Sequence, residues 1–183
     1  MLLAALLTLG AQTASAEIID RILAVVSGQI ITKTDVDAAR ALGLIEVRAG
    51  DAQSPDQAAL QALIDRVLML SEVRRVVPRE PTEAAITARV AAIRERFPSA
   101  GALQQALAAS GISEPVIRIY AEDDLSLAAY LDERFSAAAQ PTDQEVLQAG
   151  EANRLKLADE RRRTLIGAWV AELRRRADIS LLQ

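Results

Sequence analysis

The run from Ile18 to Thr32 constrains this chain most: Ile-Ile-Asp-Arg-Ile-Leu-Ala-Val-Val, then Ser27-Gly28, then Gln-Ile-Ile-Thr. Two β-branched runs broken at a Ser-Gly pair predict a β-hairpin, with glycine supplying the left-handed turn conformation. Ile22, Ala24 and Val26 share one face and Leu23 and Val25 the other. Both faces are apolar, so the hairpin must be covered, and two strands alone are marginal in water. The only later stretch with strand character is Asp178-Ile179-Ser180-Leu181-Leu182, at the opposite end of the chain. The pattern therefore predicts that the C-terminus returns to pair with the N-terminal hairpin, closing the chain on itself.

Everything between these ends reads as helix. Apolar residues make up 51% of the 183 residues and aromatics only 3%, so the core must be built from Ala, Leu, Ile and Val, a mix that favours helices. Thr34 is placed to cap a short helix from Asp35 to about Leu42, stopped by Gly43. Ser54-Pro55-Asp56-Gln57 combines an N-cap with proline at the first helical position. Leu60, Leu63, Ile64, Val67 and Leu70 mark one face of the helix that follows, which is expected to reach about Val76 before Pro78. Thr82 opens the next, with Ile86, Val90 and Ile93 as its stripe and Arg89, Arg94, Glu95 and Arg96 towards water, closed by Pro98. Ser99 to Ser110 is a short helix stopped by Gly111, and Ser113-Glu114-Pro115 starts a longer one reaching about Phe135. Ala137-Ala138-Ala139-Gln140-Pro141 reads as a linker. Thr142-Asp143-Gln144-Glu145 is a capping box opening a turn that ends near Gly150. The expected fold class is mainly α, a multi-helix domain with an N-terminal β-hairpin completed by a C-terminal strand.

Residues 154 to 176 hold eight basic residues against Asp159, Glu160 and Glu172, so this segment carries +5 and the remainder −9. Leu155, Ala158, Leu165, Ile166, Trp169 and Leu173 supply the apolar stripe of one long helix. Its arginines read as a solvated face complementing the acidic remainder, with Arg174-Arg175-Arg176 at the negative end of the helix dipole. The net charge of −4, the pI near 5.0 and the lack of aromatic interleaving speak against a nucleic-acid partner.

The chain has no histidine and no cysteine, which excludes thiol nucleophiles, imidazole bases and Cys/His zinc sites. Two acidic groups remain, Glu122-Asp123-Asp124 and Asp35 with Asp37. Adjacent helical positions point in different directions, so the trio reads as a solvated face and Asp35 as a helix N-terminal acid. No catalytic residue, metal or cofactor is expected, and the chain reads as a binding protein.

Met1 to Ala16 carries no charge, is rich in leucine and finishes Ala14-Ser15-Ala16. This is an h-region and a small-x-small cleavage site, expected to be a signal peptide of residues 1–16 removed after Ala16. It is too short for a stable membrane anchor, since a span needs about 20 apolar residues. The expected mature domain is 17–183, in an exported, periplasmic compartment.

The segment Asp20-Arg21-Ile22-Leu23-Ala24-Val25-Val26-Ser27-Gly28-Gln29-Ile30-Ile31-Thr32-Lys33-Thr34-Asp35-Val36 resembles the opening of the SurA family of periplasmic chaperones. Leu63-Ile64-Asp65-Arg66-Val67-Leu68-Met69, Pro81-Thr82-Glu83, Pro141-Thr142-Asp143-Gln144-Glu145-Val146 and Trp169 to Ile179 resemble later segments of the same family. Full-length relatives carry parvulin-type prolyl isomerase domains before the terminal helix, where this chain has only Glu151 to Glu160. Ser27 also stands where the family usually has Asn.

The resemblance implies a SurA N-terminal-like chaperone domain that holds unfolded outer-membrane or periplasmic proteins, without prolyl isomerase activity. Such a holdase works by weak, reversible burial of extended apolar segments in a groove. Candidate client-binding residues are Leu44 and Ile45 after the first helix, Met69, Val73 and Val77 along the second, and Phe97, Leu103 and Leu107 near the short helices. The alternative is a structural or assembly protein of the cell envelope that binds one dedicated partner, through the basic terminal helix.

Overall fold

The computed structural model describes residues 20–46, 54–76 and 80–182. The expected signal peptide, the Val77 candidate site and the proline stop at Pro78 lie outside the described residues.

Strand β1 (Ile22–Val26) turns at Ser27-Gly28 into β2 (Gln29–Thr32), and β3 (Ile179–Leu181) pairs with the other edge of β1. Both pairings are antiparallel, giving the order β2-β1-β3 with Val25 opposite Ile30 on one side and Ser180 on the other. The returning C-terminus thus completes the sheet, as the strand pattern predicts. The turn holds two residues with φ of 48° at Ser27 and 83° at Gly28, the doubly left-handed form that matches strand twist. One sheet face is covered: Ala24, Val26 and Ile31 are buried against helices. The other is not fully covered among the described residues, since Ile30 remains 55% exposed.

Helix α1 (Lys33–Ala41) begins two residues before the Asp35 start that a Thr34 cap predicts. Thr32 is the cap: its hydroxyl accepts from the Asp35 N–H at 3.2 Å while the Asp35 carboxylate accepts from the Thr32 N–H at 2.8 Å. This reciprocal box satisfies two helix-end donors at once, which Thr34 could not do from inside the first turn. Helix α2 (Pro55–Val73) starts at its Ser54 cap and ends at Val73, short of the expected Val76. Helix α3 (Glu83–Arg94) opens at Thr82 as expected, α4 (Ala100–Ser110) begins one residue after Ser99, which caps it, and the expected stop at Gly111 ends α4 with φ of 68°.

Helix α5 (Glu114–Ala139) runs through the three alanines read as a linker. Alanine is the best helix former, and only the restriction Pro141 places on Gln140 ends the helix. Helix α6 (Asp143–Ala149), capped by Thr142 and Glu145 in a box, leads through a short 3-10 turn at Glu151–Asn153 to α7 (Arg154–Arg176). Leu155, assigned to the apolar stripe of α7, is 80% exposed, because the first turns of α7 extend beyond the packed region; Ile166, Trp169 and Leu173 are buried.

Among the described residues three apolar clusters organise the interior. The largest joins the sheet to α1, α2, α5 and α7, with Phe135 and Trp169 rings 5.7 Å apart. The second gathers Leu42, Leu44, Ile93, Leu103, Leu107 and Ile117, and the third Leu70, Val73 and Leu127.

Candidate functional site

Where the three clusters adjoin, a groove of about 840 Å³ opens along α2. Its floor is formed by Gln57, Ala58, Gln61, Ala62, Asp65, Arg66 and Met69, which recur at helical spacing along one stripe. Gly43, Leu44, Ile45 and Glu46 form one wall, and Arg89, Arg96, Asp124 and Leu127 the others.

The first wall is built by the way α1 ends. Leu42 caps the helix, the Gly43 N–H donates to the Arg40 carbonyl at 3.2 Å, and the Leu44 N–H donates to the Ala39 carbonyl at 2.9 Å. This is a Schellman ending with glycine at the left-handed position, φ of 59°. It turns Leu44 back into the second cluster and aims the Gly43 carbonyl at Arg96, whose guanidinium donates to it. A side chain at Gly43 would meet Arg96 Nη1 at 3.2 Å.

The far wall is ionic. Arg66 is buried, donates to one Asp124 carboxylate oxygen, and reaches the Tyr120 carbonyl at 3.2 Å. Its guanidinium lies 4.8 Å from the Tyr120 ring centre, within cation–π range. Arg89 donates to the second Asp124 oxygen at 2.9 Å. Asp123 stands 3.8 Å from both Arg66 and Arg74. Burial pushes the Asp123 carboxyl above its ordinary range, with the two guanidiniums pulling it back, and burial likewise raises the Tyr120 phenol. The acidic trio is therefore not a solvated face: Asp123 and Asp124 turn inward to neutralise arginines of α2 and α3. Arg89, expected towards water, belongs to this wall. Among the described residues no group of three or more acidic side chains is arranged to hold a metal ion.

Behind the floor, Arg174 of α7 donates to Asp65 at 2.5 Å, to the Gln61 side-chain oxygen at 2.8 Å and to the Gln61 carbonyl at 3.0 Å. Other α7 cations are also engaged: Arg161 with Glu145, Arg162 with Asp132 at 3.9 Å, and Arg154 with Glu151 at 2.6 Å. The helix dipole at its C-terminal end faces Arg174, Arg175 and Arg176.

Of the sequence-derived candidates, the structure brings Leu44, Ile45 and Met69 together on the groove. Leu44 is mostly buried there, at 6% exposure, and Ile45 and Met69 are half-buried. Val73 is interior to the third cluster, Leu103 and Leu107 to the second, and Phe97 packs half-buried against the second. Sequence reasoning missed Arg66, Gln57, Gln61 and Asp65; the available signal was the polar stripe recurring at i, i+4 and i+8 on one face of α2.

No protein-family model matches the chain, and no curated protein matches it. No helix among the described residues is long and apolar enough to cross a membrane.

Proposed function

We propose that this chain is a periplasmic holdase that shelters extended segments of unfolded outer-membrane or envelope proteins, and that it does so without prolyl isomerase activity. The observation that carries the reading is the α2 groove, which presents Leu44, Ile45 and Met69 beside polar side chains already paired with one another. A surface of this kind offers many modest contacts, which suits reversible holding where no nucleotide drives release. The resemblance of residues 20–36 to the SurA family supports the same reading, as does the leader-like composition of Met1 to Ala16. The absence of histidine and the short passage from α6 to α7 support a holding role separate from the parvulin chemistry of larger relatives.

The alternative, a dedicated partner bound through the terminal helix, is less well supported because the α7 arginines are largely paired inside the chain. The test is light scattering of a denatured β-barrel protein diluted into buffer with the mature chain. Suppression of aggregation near stoichiometric ratio is expected; unchanged scattering at large excess overturns the reading.

A further inference from the structure

Arginine carries donors and no acceptor, so whatever faces it must present oxygen. Arg174 spends its guanidinium on two successive turns of α2, binding the Asp65 carboxylate and both the main-chain and side-chain oxygens of Gln61. The Gln61 amide is therefore held in one of its two flips, oxygen towards α7. Its Nε2 group is turned away from Arg174, and among the described residues it has no hydrogen-bond partner. Gln61 lines the groove, flanked on the floor by Ala58 and Ala62, whose small side chains leave room above it.

The groove is also neutral in sum. Arg66, Arg89 and Arg96 are balanced by Glu46, Asp65 and Asp124, so a strongly charged ligand gains nothing there. Besides the outer N–H groups of Arg89 and Arg96, each of which engages one guanidinium nitrogen, Gln61 offers an N–H donor pair whose direction Arg174 sets, next to apolar side chains. A main-chain carbonyl of an extended, uncharged peptide, with an apolar side chain beside it, fits both.

We propose that Gln61 reads the main chain of the bound segment through its Nε2 donor, and that Arg174 is the positioning residue that fixes the amide for this task. The inference rests on the holding function proposed above and deepens it, by naming how a groove that selects for little beyond uncharged, apolar side chains retains a polypeptide.

The test uses the full mature chain and a fluorescein-labelled neutral peptide of alternating valine and serine, followed by fluorescence anisotropy. Gln61→Glu keeps oxygen for Arg174 but removes the donor, and is expected to weaken binding about tenfold, the upper range for one hydrogen bond. Arg174→Lys keeps a charge for Asp65 yet releases the amide; a loss of about threefold is expected. In wild type the Gln61 side-chain NH₂ resonances should shift on peptide addition, and in Arg174→Lys they should broaden, a signature that a purely structural arginine would not produce. Ala62→Trp, which fills the groove, serves as the control for location. Peptide binding abolished by Ala62→Trp but untouched by Gln61→Glu overturns this proposal alone. Binding that survives both variants, or no binding by the wild type, overturns the groove reading together with it.

Discussion

Arg66 on α2 and Asp124 on α5 stand 58 positions apart in the chain and meet in a charge-assisted hydrogen bond at the groove wall, with Arg89 on the second carboxylate oxygen. The Arg66 side chain is only 11% exposed and that of Asp124 18%, whereas Arg89 is 39% exposed. Truncating Asp124 leaves the desolvated Arg66 guanidinium with the Tyr120 carbonyl and the more distant Asp123 carboxylate alone, and truncating Arg89 removes a solvent-screened partner. Asp124→Ala should therefore cost about 3 kcal/mol of unfolding free energy, and Arg89→Ala about 1 kcal/mol or less. Urea titrations of the two variants compare them directly; equal losses would mean that Asp124 does not bridge α2 to α5 in solution.

The closing strand makes a second prediction. The Ser27 N–H donates to the Asp178 carbonyl at 2.8 Å and the Leu182 N–H to the Leu23 carbonyl at 2.9 Å, bracketing the β1–β3 ladder. Removing residues 178–183 deletes these bonds and uncovers one edge of β1. At about 1 kcal/mol for each of these two bonds, with the ladder between them adding to it, the loss should be at least about 3 kcal/mol, read as a lower thermal midpoint with an unchanged helical spectrum. An unaltered midpoint would detach β3 from the sheet.

Ser27 occupies the left-handed region with φ of 48° and an exposed side chain. An L-residue pays about 1–2 kcal/mol for that conformation, less for Asn, whose side chain hydrogen-bonds locally. Ser27→Asn should stabilise the domain by about 0.5 kcal/mol and Ser27→Val should destabilise it by about 1 kcal/mol, both measurable as shifts in the urea midpoint. If Asn fails to stabilise, the turn is not of the two-residue type.

Acid titration isolates the α6 cap. The Thr142 backbone N–H, the Thr142 hydroxyl and Arg161 hold the Glu145 carboxyl down to about 2. The unfolded reference value is 4.5, so the folded state favours the ionised form. Its contribution is present above pH 4.5 and fades as pH falls towards 2. The stability difference between wild type and Glu145→Gln should thus be constant at neutral pH and vanish across that window. A difference that persists at pH 2 would point to packing instead of charge.

These relationships differ in how visible they are from the residues alone. The hairpin and the helix starts at Ser54, Thr82 and Thr142 depend on neighbours within a few positions and are legible as local patterns. The returning strand instead pairs across the length of the chain, and was legible because the hairpin needs a partner and 178–182 is the later stretch with strand character. Ala137–Ala139 misled because a small-residue run before proline suits either a linker or a helix end, and intrinsic propensity decided it. The acidic trio misled for a different reason: considered on one helix its members diverge, and only the packing of α2 and α3 on α5 supplies their arginines. The groove was half legible. Its apolar wall at Leu44 and Ile45 followed from the glycine-terminated helix, but its polar floor is recognisable only once α7 brings Arg174 to Gln61 and Asp65.

That distinction separates the proposed holding role from folding by mutation. Leu103 and Leu107 are each 4% exposed inside the second cluster, so Leu103→Ala and Leu107→Ala should each cost about 2–4 kcal/mol. Any loss of aggregation suppression in them should follow the unfolded fraction and recover on cooling below the midpoint. Ala62 lines the groove and is half-buried; Ala62→Trp fills the space above the floor without entering a cluster. It should move stability by about 0.5 kcal/mol or less, yet remove most of the suppression of β-barrel aggregation at every temperature. Light scattering and urea unfolding on the three variants give the comparison. Full suppression by Ala62→Trp would take the groove out of client holding, whatever the leucine variants do.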